Sequence, residues 1–286
     1  MTTFVSATTI EDALAAISAG ARPVAGGTDL VVGARAGKTT LPESIVAIHR
    51  VAELHEIVSA ADGGLRIGPL ARHADIVAND GICSRYTALS DACRIVGSHA
   101  TRAQGTIGGN LMNASPAMET GGPLVCFGAT VTLRSATGTR WLALEDLWEG
   151  PGKTAAHPDE LLVAVDVPAP AAGTGSAYLR LEYRRQMEIA VVGATAVITF
   201  ADGAVTDARI AMTAVSATIR RVPAAEAALV GSDGGTDAVA AAGAAVAEAA
   251  TPISDVRASA DYRRAMAAVI AGRAIEQALS RAREAS

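Results

Sequence analysis

Arg22-Pro23-Val24-Ala25-Gly26-Gly27-Thr28-Asp29-Leu30 is the stretch on which the fold turns. Arg22 to Ala25 has strand character and the paired glycines make a turn. The apolar segment from Leu30 to Ala36, stopped by Gly37, reads as a helix. Upstream, Thr8 begins a helix in which Thr8 and Glu11 have capping-box spacing and Gly20 supplies the stop. Downstream, Ser44 to Ile48 is a second buried strand. A strand, a crossover and a strand through residue 48 predict a small βαβ-like unit with parallel strands.

Beyond it the period changes. Ile57 and Val58 before Asp62-Gly63-Gly64, with Leu65 and Ile67 after, predict a hairpin between Leu54 and Leu70. Arg72 to Asn79, Tyr86 to Val96 and Gly122 to Phe127 read as helices. Ala129 to Arg134 and Thr139 to Leu142 form a hairpin over Thr137-Gly138, and Leu161 to Val167 is another strand. Pro168 to Gly175 holds two prolines and two glycines, so it marks the main boundary. After it, Tyr178 to Arg184, Val191 to Phe200 and Ala208 to Ala214 predict a three-stranded antiparallel sheet, with Asp202-Gly203 at one turn. Helices follow at Ala224 to Val230, Asp237 to Ala250 and Tyr262 to Arg283. The last is expected to turn Met266, Val269, Ile270, Ile275 and Leu279 to a core. The fold class is therefore α+β: a small βαβ unit, a larger mixed or antiparallel sheet with helices, then a three-stranded sheet with a helical bundle.

The chain has 286 residues, with 24 Lys+Arg against 29 Asp+Glu and a net charge of -5. It is 50% hydrophobic and 19% charged, a balance for packed cores and against disorder. Aromatics make 3% and no basic face is present, which argues against nucleic acid. Cys83, Cys93 and Cys126 lie far apart with no Cys-x-x-Cys, so neither an iron–sulfur cluster nor a structural zinc is expected on this chain. A cytoplasmic location is expected, since no signal-peptide pattern or membrane-length apolar run occurs. His49, His55, His73, His99 and His157 lack metal-ligand spacing and read as surface or internally satisfied histidines. No His-Glu-x-x-His, Gly-x-Ser-x-Gly, Walker loop or Gly-x-Gly-x-x-Gly is present, which removes most support for hydrolase and kinase readings.

What remains is a pair of glycine-rich segments. Gly26-Gly27-Thr28-Asp29 lets successive backbone N–H groups approach an anion. Gly105-Thr106-Ile107-Gly108-Gly109-Asn110-Leu111-Met112-Asn113-Ala114-Ser115-Pro116 carries paired glycines with Thr106, Asn110 and Ser115 as hydrogen-bonding side chains. Singly, a double glycine after a strand is usually a tight turn. Together, two such segments suit a ligand with two phosphates.

The pair resembles the two FAD-binding loops of molybdenum hydroxylases, in the FAD subunit called medium in the carbon monoxide dehydrogenase type, or the central domain of xanthine dehydrogenase. The resemblance continues through Gly150-Pro151-Gly152-Lys153-Thr154, Asp159-Glu160-Leu161-Leu162, Tyr183 to Ala190 and Ile253 to Arg263. It implies an FAD-binding domain at 1–173, in subdomains of about 1–53 and 54–173, and a C-terminal domain at 174–286. By the same resemblance Gly26, Gly27, Thr28 and Asp29 hold the FAD diphosphate, flanked by Ala25 and Leu30. Thr106, Gly108, Gly109 and Asn110 complete the diphosphate and flavin side, with Ser115 nearby. Glu119 stands where the family usually has a ribose-binding aspartate, Leu162 at a position near adenine or flavin, and Arg180 at a basic position near the isoalloxazine. Residues 100–104 depart from the family pattern. No residue is expected to act as nucleophile or base, and no metal is expected here.

The implied function is an FAD-carrying electron-transfer subunit. It would take electrons from 2Fe–2S clusters on a small subunit, downstream of a large molybdenum–pterin subunit in a dimer of heterotrimers, and pass them from FAD to an external acceptor. A stand-alone flavin oxidoreductase and a non-catalytic nucleotide-binding or scaffold subunit are the alternatives.

Overall fold

The computed structural model describes residues 3–285. The chain opens with strand β1 (Thr3–Ser6), helix α1 (Ile10–Ser18), β2 (Arg22–Val24), α2 (Leu30–Arg35) and β3 (Ser44–Ala47). These strands form a parallel sheet in the order β1-β3-β2. The expected crossover is present, with β1 added at an edge where all four residues are exposed and no burial pattern announces a strand. Capping of α1 falls one residue later than the Thr8–Glu11 spacing suggested. Thr9 Oγ1 accepts from the Asp12 N–H at 3.1 Å, and the Asp12 carboxylate reaches back to the Thr8 hydroxyl at 3.2 Å. Glu11 is drawn instead to Arg134, at 2.8 Å. Gly20, at φ +92°, ends the helix as expected. Ile10, Leu14 and Ile17 pack with Val46, Ile48 and Leu54 in a small core.

The middle of the chain is β4 (Ile57–Ser59), β5 (Leu65–Ile67), then α3 (His73–Val77), α4 (Asp80–Arg85), α5 (Thr87–Ile95), α6 (His99–Arg102), α7 (Ile107–Asn113) and α8 (Gly121–Cys126). It continues with β6 (Thr130–Arg134), β7 (Thr139–Ala143), the short pair β8 (Trp148–Gly150) and β9 (Lys153–Thr154), and β10 (Leu161–Val167). Five strands pair antiparallel throughout, in the order β4-β5-β10-β6-β7. Their inner face and helices α3, α5, α7 and α8 enclose the largest core, where Tyr86 meets Phe127 edge to face at 5.0 Å.

From residue 174 the chain forms β11 (Thr174–Leu181), β12 (Val192–Ala201), β13 (Ala204–Thr213) and β14 (Arg220–Arg221), paired antiparallel in sequence order. The expected three strands are four, because Arg220 and Arg221 pair with Met212 and Ala211 at the edge. Asp202 and Gly203 both take positive φ, as the hairpin turn requires. Helices α9 (Pro223–Leu229), α10 (Thr236–Ala249) and α11 (Ala260–Glu284) cover one face. The core face of α11 differs from the expected one: Ile270, Ile275 and Leu279 are buried, but Val269 is exposed and Met266 only half-buried. Ala267, Ala271, Ala274 and Ala278 supply the rest, so the backbone can lie close to the sheet. A Cβ on Gly175 would sit 2.2 Å from Ala278 O, so that glycine is needed where β11 meets α11. Arg281 ties this helix back to α5, donating to Asp91 Oδ2 and to Ser176 O at 2.6 Å each.

Candidate functional site

At the end of β2 the chain leaves the sheet through Ala25, Gly26, Gly27, Thr28 and Asp29 before α2 begins at Leu30. Gly27 has φ +68°, a conformation that a side chain would strain. The carbonyls of Gly27 and Asp29 accept from Val31 and Gly33 at 2.9 and 2.8 Å. The N–H groups do not turn inward in the same way. Among the described residues no acceptor meets the backbone N–H of Gly26, Gly27, Thr28, Asp29 or Leu30, and the Asp29 side chain makes no capping bond. Five successive donors are thus left without a protein partner.

The second segment meets the first directly. A Cβ on Gly26 would stand 2.0 Å from Gln104 O and 3.3 Å from Gly105 Cα. The corresponding position on Gly105 lies 3.6 Å from Thr28 Oγ1 and 3.3 Å from His73 Cδ2. Residues 26–28 and 104–105, some 80 apart in sequence, therefore lie against one another, and positions 26 and 105 leave no room for a side chain.

Past Gly105 the second segment is a helix rather than an open loop. Thr106 caps α7, its Oγ1 accepting from the Gly109 N–H at 3.1 Å. The Ile107, Gly108 and Asn110 N–H groups donate to Ala71 O, Pro69 O and Thr106 O at 2.9, 2.8 and 3.0 Å. A Cβ on Gly108 would fall 2.4 Å from Pro69 Cβ and 2.7 Å from Pro69 O. Gly108 thus lets α7 pack against residues 69–71, while a Cβ on Gly109 would have only Thr106 Oγ1 near it, at 3.0 Å. Asn110 Oδ1 accepts from Thr120 Oγ1 at 2.6 Å, and Ser115 Oγ accepts from the Ala117 N–H at 3.3 Å.

Glu119, beside Thr120, is buried and accepts from Arg180 Nη1 at 2.6 Å, while Arg180 Nε donates to Glu182 Oε2 at 2.5 Å. The Arg180 side chain is 1% exposed, so this trio is an internal charge network. Burial raises the Glu119 carboxyl above the usual carboxylate range, opposed by the Arg180 charge. Asn110, Thr120, Glu119 and Arg180 thus link α7 to β11. Leu162 lies apart, buried in the main core opposite Leu133.

The residue at the junction that the motifs did not single out is Gln104, while His73 belongs to the histidines read as surface or internally satisfied. His73 is 2% exposed, donates its backbone N–H to Gly105 O at 3.1 Å and has Nδ1 3.6 Å from Cys93 Sγ. Burial, with the nearby Arg102 charge, pushes its pKa down to about 4, so the ring is neutral at ordinary pH. Nothing in the spacing of His73 marks it, because its neighbours come from other elements. Among the described residues no cluster of His, Cys, Asp or Glu has the make-up of a metal site, and no helix is long and apolar enough to cross a membrane.

Comparison with known proteins bears on what this junction holds. Residues 1–170 match the family described as FAD binding domain in molybdopterin dehydrogenase, and residues 177–278 match the CO dehydrogenase flavoprotein C-terminal domain. The chain is 33% identical over 264 residues to the carbon monoxide dehydrogenase medium chain of Afipia carboxidovorans, covering 92% of this chain and 90% of that one. It is 32% identical over 284 residues to the 6-hydroxypseudooxynicotine dehydrogenase complex subunit alpha of Paenarthrobacter nicotinovorans, covering 98% and 95%. In three dimensions it matches a chain of the Hydrogenophaga pseudoflava carbon monoxide dehydrogenase that lacks the Mo-pyranopterin moiety of the molybdenum cofactor. There the TM-score is 0.94 at 29% identity, over 98% of each chain.

Proposed function

The chain belongs to the family of FAD-binding subunits of molybdopterin dehydrogenases, of the carbon monoxide dehydrogenase flavoprotein type, and from that premise we propose that it is the electron-exit subunit of a heteromeric molybdenum hydroxylase. It is an FAD-dependent oxidoreductase subunit. In our reading it works beside a large molybdenum–pterin subunit and a small subunit with 2Fe–2S clusters, assembles as a dimer of heterotrimers and is cytoplasmic. The FAD-binding domain spans 1–173 and the C-terminal domain 174–286.

The observation that carries the reading is the row of five unpartnered N–H groups from Gly26 to Leu30. A diphosphate needs many donors in a small space, and a backbone without side chains lets its oxygens come close. Gly26 and Gly27 keep that approach open, and Thr28 adds a hydroxyl. Ala25 and Leu30 flank the turn. Gly105, Thr106, Gly108 and Gly109 close the other side, and Gly108 also lets α7 pack closely on Pro69. Asn110, Ser115, Glu119, Leu162 and Arg180 are proposed farther along the cofactor. Arg180 brings a fixed positive charge and Glu119 holds it in place.

Bound FAD would supply a carrier that takes electrons one at a time and stores one or two before passing them to an external acceptor. The protein's own task is then to hold anionic groups, orient them and keep bulk water away, which agrees with cofactor segments and no catalytic constellation.

Two experiments test this. Loading the purified chain with FAD and desalting it should leave about one flavin per chain, released intact on heating because the attachment is noncovalent. A colourless product that releases no flavin overturns the reading. Purification of the native complex should yield two further chains with molybdenum, iron and flavin together, and a lone active flavoprotein would favour a stand-alone oxidoreductase.

A further inference from the structure

Arg180 and Arg263 show how this protein treats a buried guanidinium. The Arg180 side chain is 1% exposed and donates to Glu119 and Glu182, and the Arg263 side chain, 4% exposed, has Nη2 2.7 Å from Asp255 Oδ1. Each charge taken out of water is met by a carboxylate, as desolvation demands. Arg102 breaks that pattern. It is 9% exposed, yet among the described residues no carboxylate pairs with it, and its one side-chain bond runs from Nη1 to Val96 O at 3.0 Å. Nε and Nη2 have no partner, and neither is among the buried atoms left unpaired, so that edge of the fork is open while the rest of the side chain is enclosed.

Arg102 ends α6, and the chain just beyond it carries the junction. Gln104 O lies 2.0 Å from where a Cβ on Gly26 would stand, and a Cβ on Gly105 would be 3.3 Å from His73 Cδ2 and 3.6 Å from Thr28 Oγ1. After burial, the Arg102 charge is the second cause that holds His73 neutral, so the guanidinium acts on the ring that flanks Gly105. An open cationic edge is thus placed at the junction with the turn whose five N–H groups have no protein partner. Those N–H groups offer only partial charges, whereas the diphosphate of FAD is a dianion brought to a chain of net charge -5. A guanidinium presents parallel N–H donors that match a pair of phosphate oxygens, and Arg102 has no carboxylate to give up in doing so. Arg180 is already shared by two glutamates.

We propose that Arg102 is a cofactor-binding residue whose counter-ion is the diphosphate of FAD. This rests on the FAD reading given above. The open edge of the guanidinium, Nε and Nη2, donates to phosphate oxygens, and the ligand brings the negative charge that Glu119 and Glu182 bring to Arg180 and that Asp255 brings to Arg263.

The test titrates three probes, FAD, inorganic pyrophosphate and riboflavin, into the full chain as wild type, Arg102→Gln and Arg102→Lys. Arg102→Gln should weaken FAD and pyrophosphate by about 10- to 100-fold and leave riboflavin affinity within about twofold, since a charge-assisted bond to phosphate is lost and riboflavin has no phosphate. The melting temperature of the ligand-free Arg102→Gln chain should be unchanged or raised, because an unpaired buried charge has gone. Arg102→Lys should recover part of the affinity, as a point charge without the fork. Wild-type FAD affinity in Arg102→Gln overturns the proposal and leaves the FAD reading standing, whereas a wild-type chain that takes up no FAD overturns that reading first. An equal loss for riboflavin also overturns the proposal, because the charge would then serve the flavin ring. If Arg102→Gln fails to fold, a crystal structure of the wild-type chain with FAD decides. Nε or Nη2 within hydrogen-bond distance of a phosphate oxygen supports the proposal, and a guanidinium that meets no phosphate overturns it.

Discussion

The two glycine-rich segments each pair two glycines with a threonine, yet their backbone N–H groups are used in opposite ways. In Gly26-Gly27-Thr28-Asp29 the backbone N–H groups have no protein partner. In Thr106-Ile107-Gly108-Gly109-Asn110 the donors from Ile107 onward are all engaged, two of them to residues 69–71. Gly26 lacks a side chain because another loop's carbonyl lies there, and Gly108 because a proline packs there. The difference teaches that a glycine pair marks close backbone approach without saying what approaches. The first segment leaves its donors without a protein partner, and the second spends its own on fixing α7 beside residues 69–71.

The hardest blow to this contrast is Gly108→Val. Its side chain would meet Pro69 within 2.4 Å, so a loss of about 3 kcal/mol in urea unfolding, or failure to fold, is expected. Wild-type stability would mean that α7 is not held against residues 69–71. Next is pH. His73 has a folded pKa of about 4 against an unfolded value near 6.5, so the unfolded chain binds the extra proton as pH falls. Stability is full above pH 6.5 and declines toward pH 4, by about 3 kcal/mol over the window. His73→Gln should flatten that slope, and an unchanged slope would show that other groups set it.

Thr28→Val sharpens the contrast from the ligand side. Loss of one hydroxyl donor to a phosphate should weaken FAD binding about tenfold in a fluorescence titration with the melting temperature almost unmoved. The smallest effect is Thr106→Val, which removes the α7 cap. About 1 kcal/mol of stability should be lost, with FAD affinity falling less than in Thr28→Val because the Thr106 hydroxyl is engaged by the Gly109 N–H. If Thr106→Val instead lost affinity and kept stability, the roles assigned to the two threonines would be exchanged.

Much of this was legible in the sequence because short-range chemistry set it. Gly20, Gly27, Gly37 and Gly203 all take positive φ where the chain turns, so glycine punctuation located the ends of α1, β2, α2 and the β12–β13 hairpin. α4 and α7 were not legible. Asp80 to Arg85 carries no strong apolar period, and two glycines in seven residues argue against a helix on propensity alone. α7 forms because Pro69 and Ala71 accept its first donors, a contact invisible to local pattern. The ion pair of Glu119 with Arg180 spans 61 residues, and nothing near either one signals the other.

Sequence by itself therefore determined the α+β class, the βαβ opening, the antiparallel ladders and the two glycine segments, because periodicity and backbone permissiveness are local. Only the tertiary structure decided which of the glycine segments keeps its donors free, which histidine is held neutral, and that Glu119 is bound to Arg180. Those outcomes depend on burial and on partners brought from distant strands and helices, and a buried polar group takes its character from what surrounds it rather than from its neighbours in the chain.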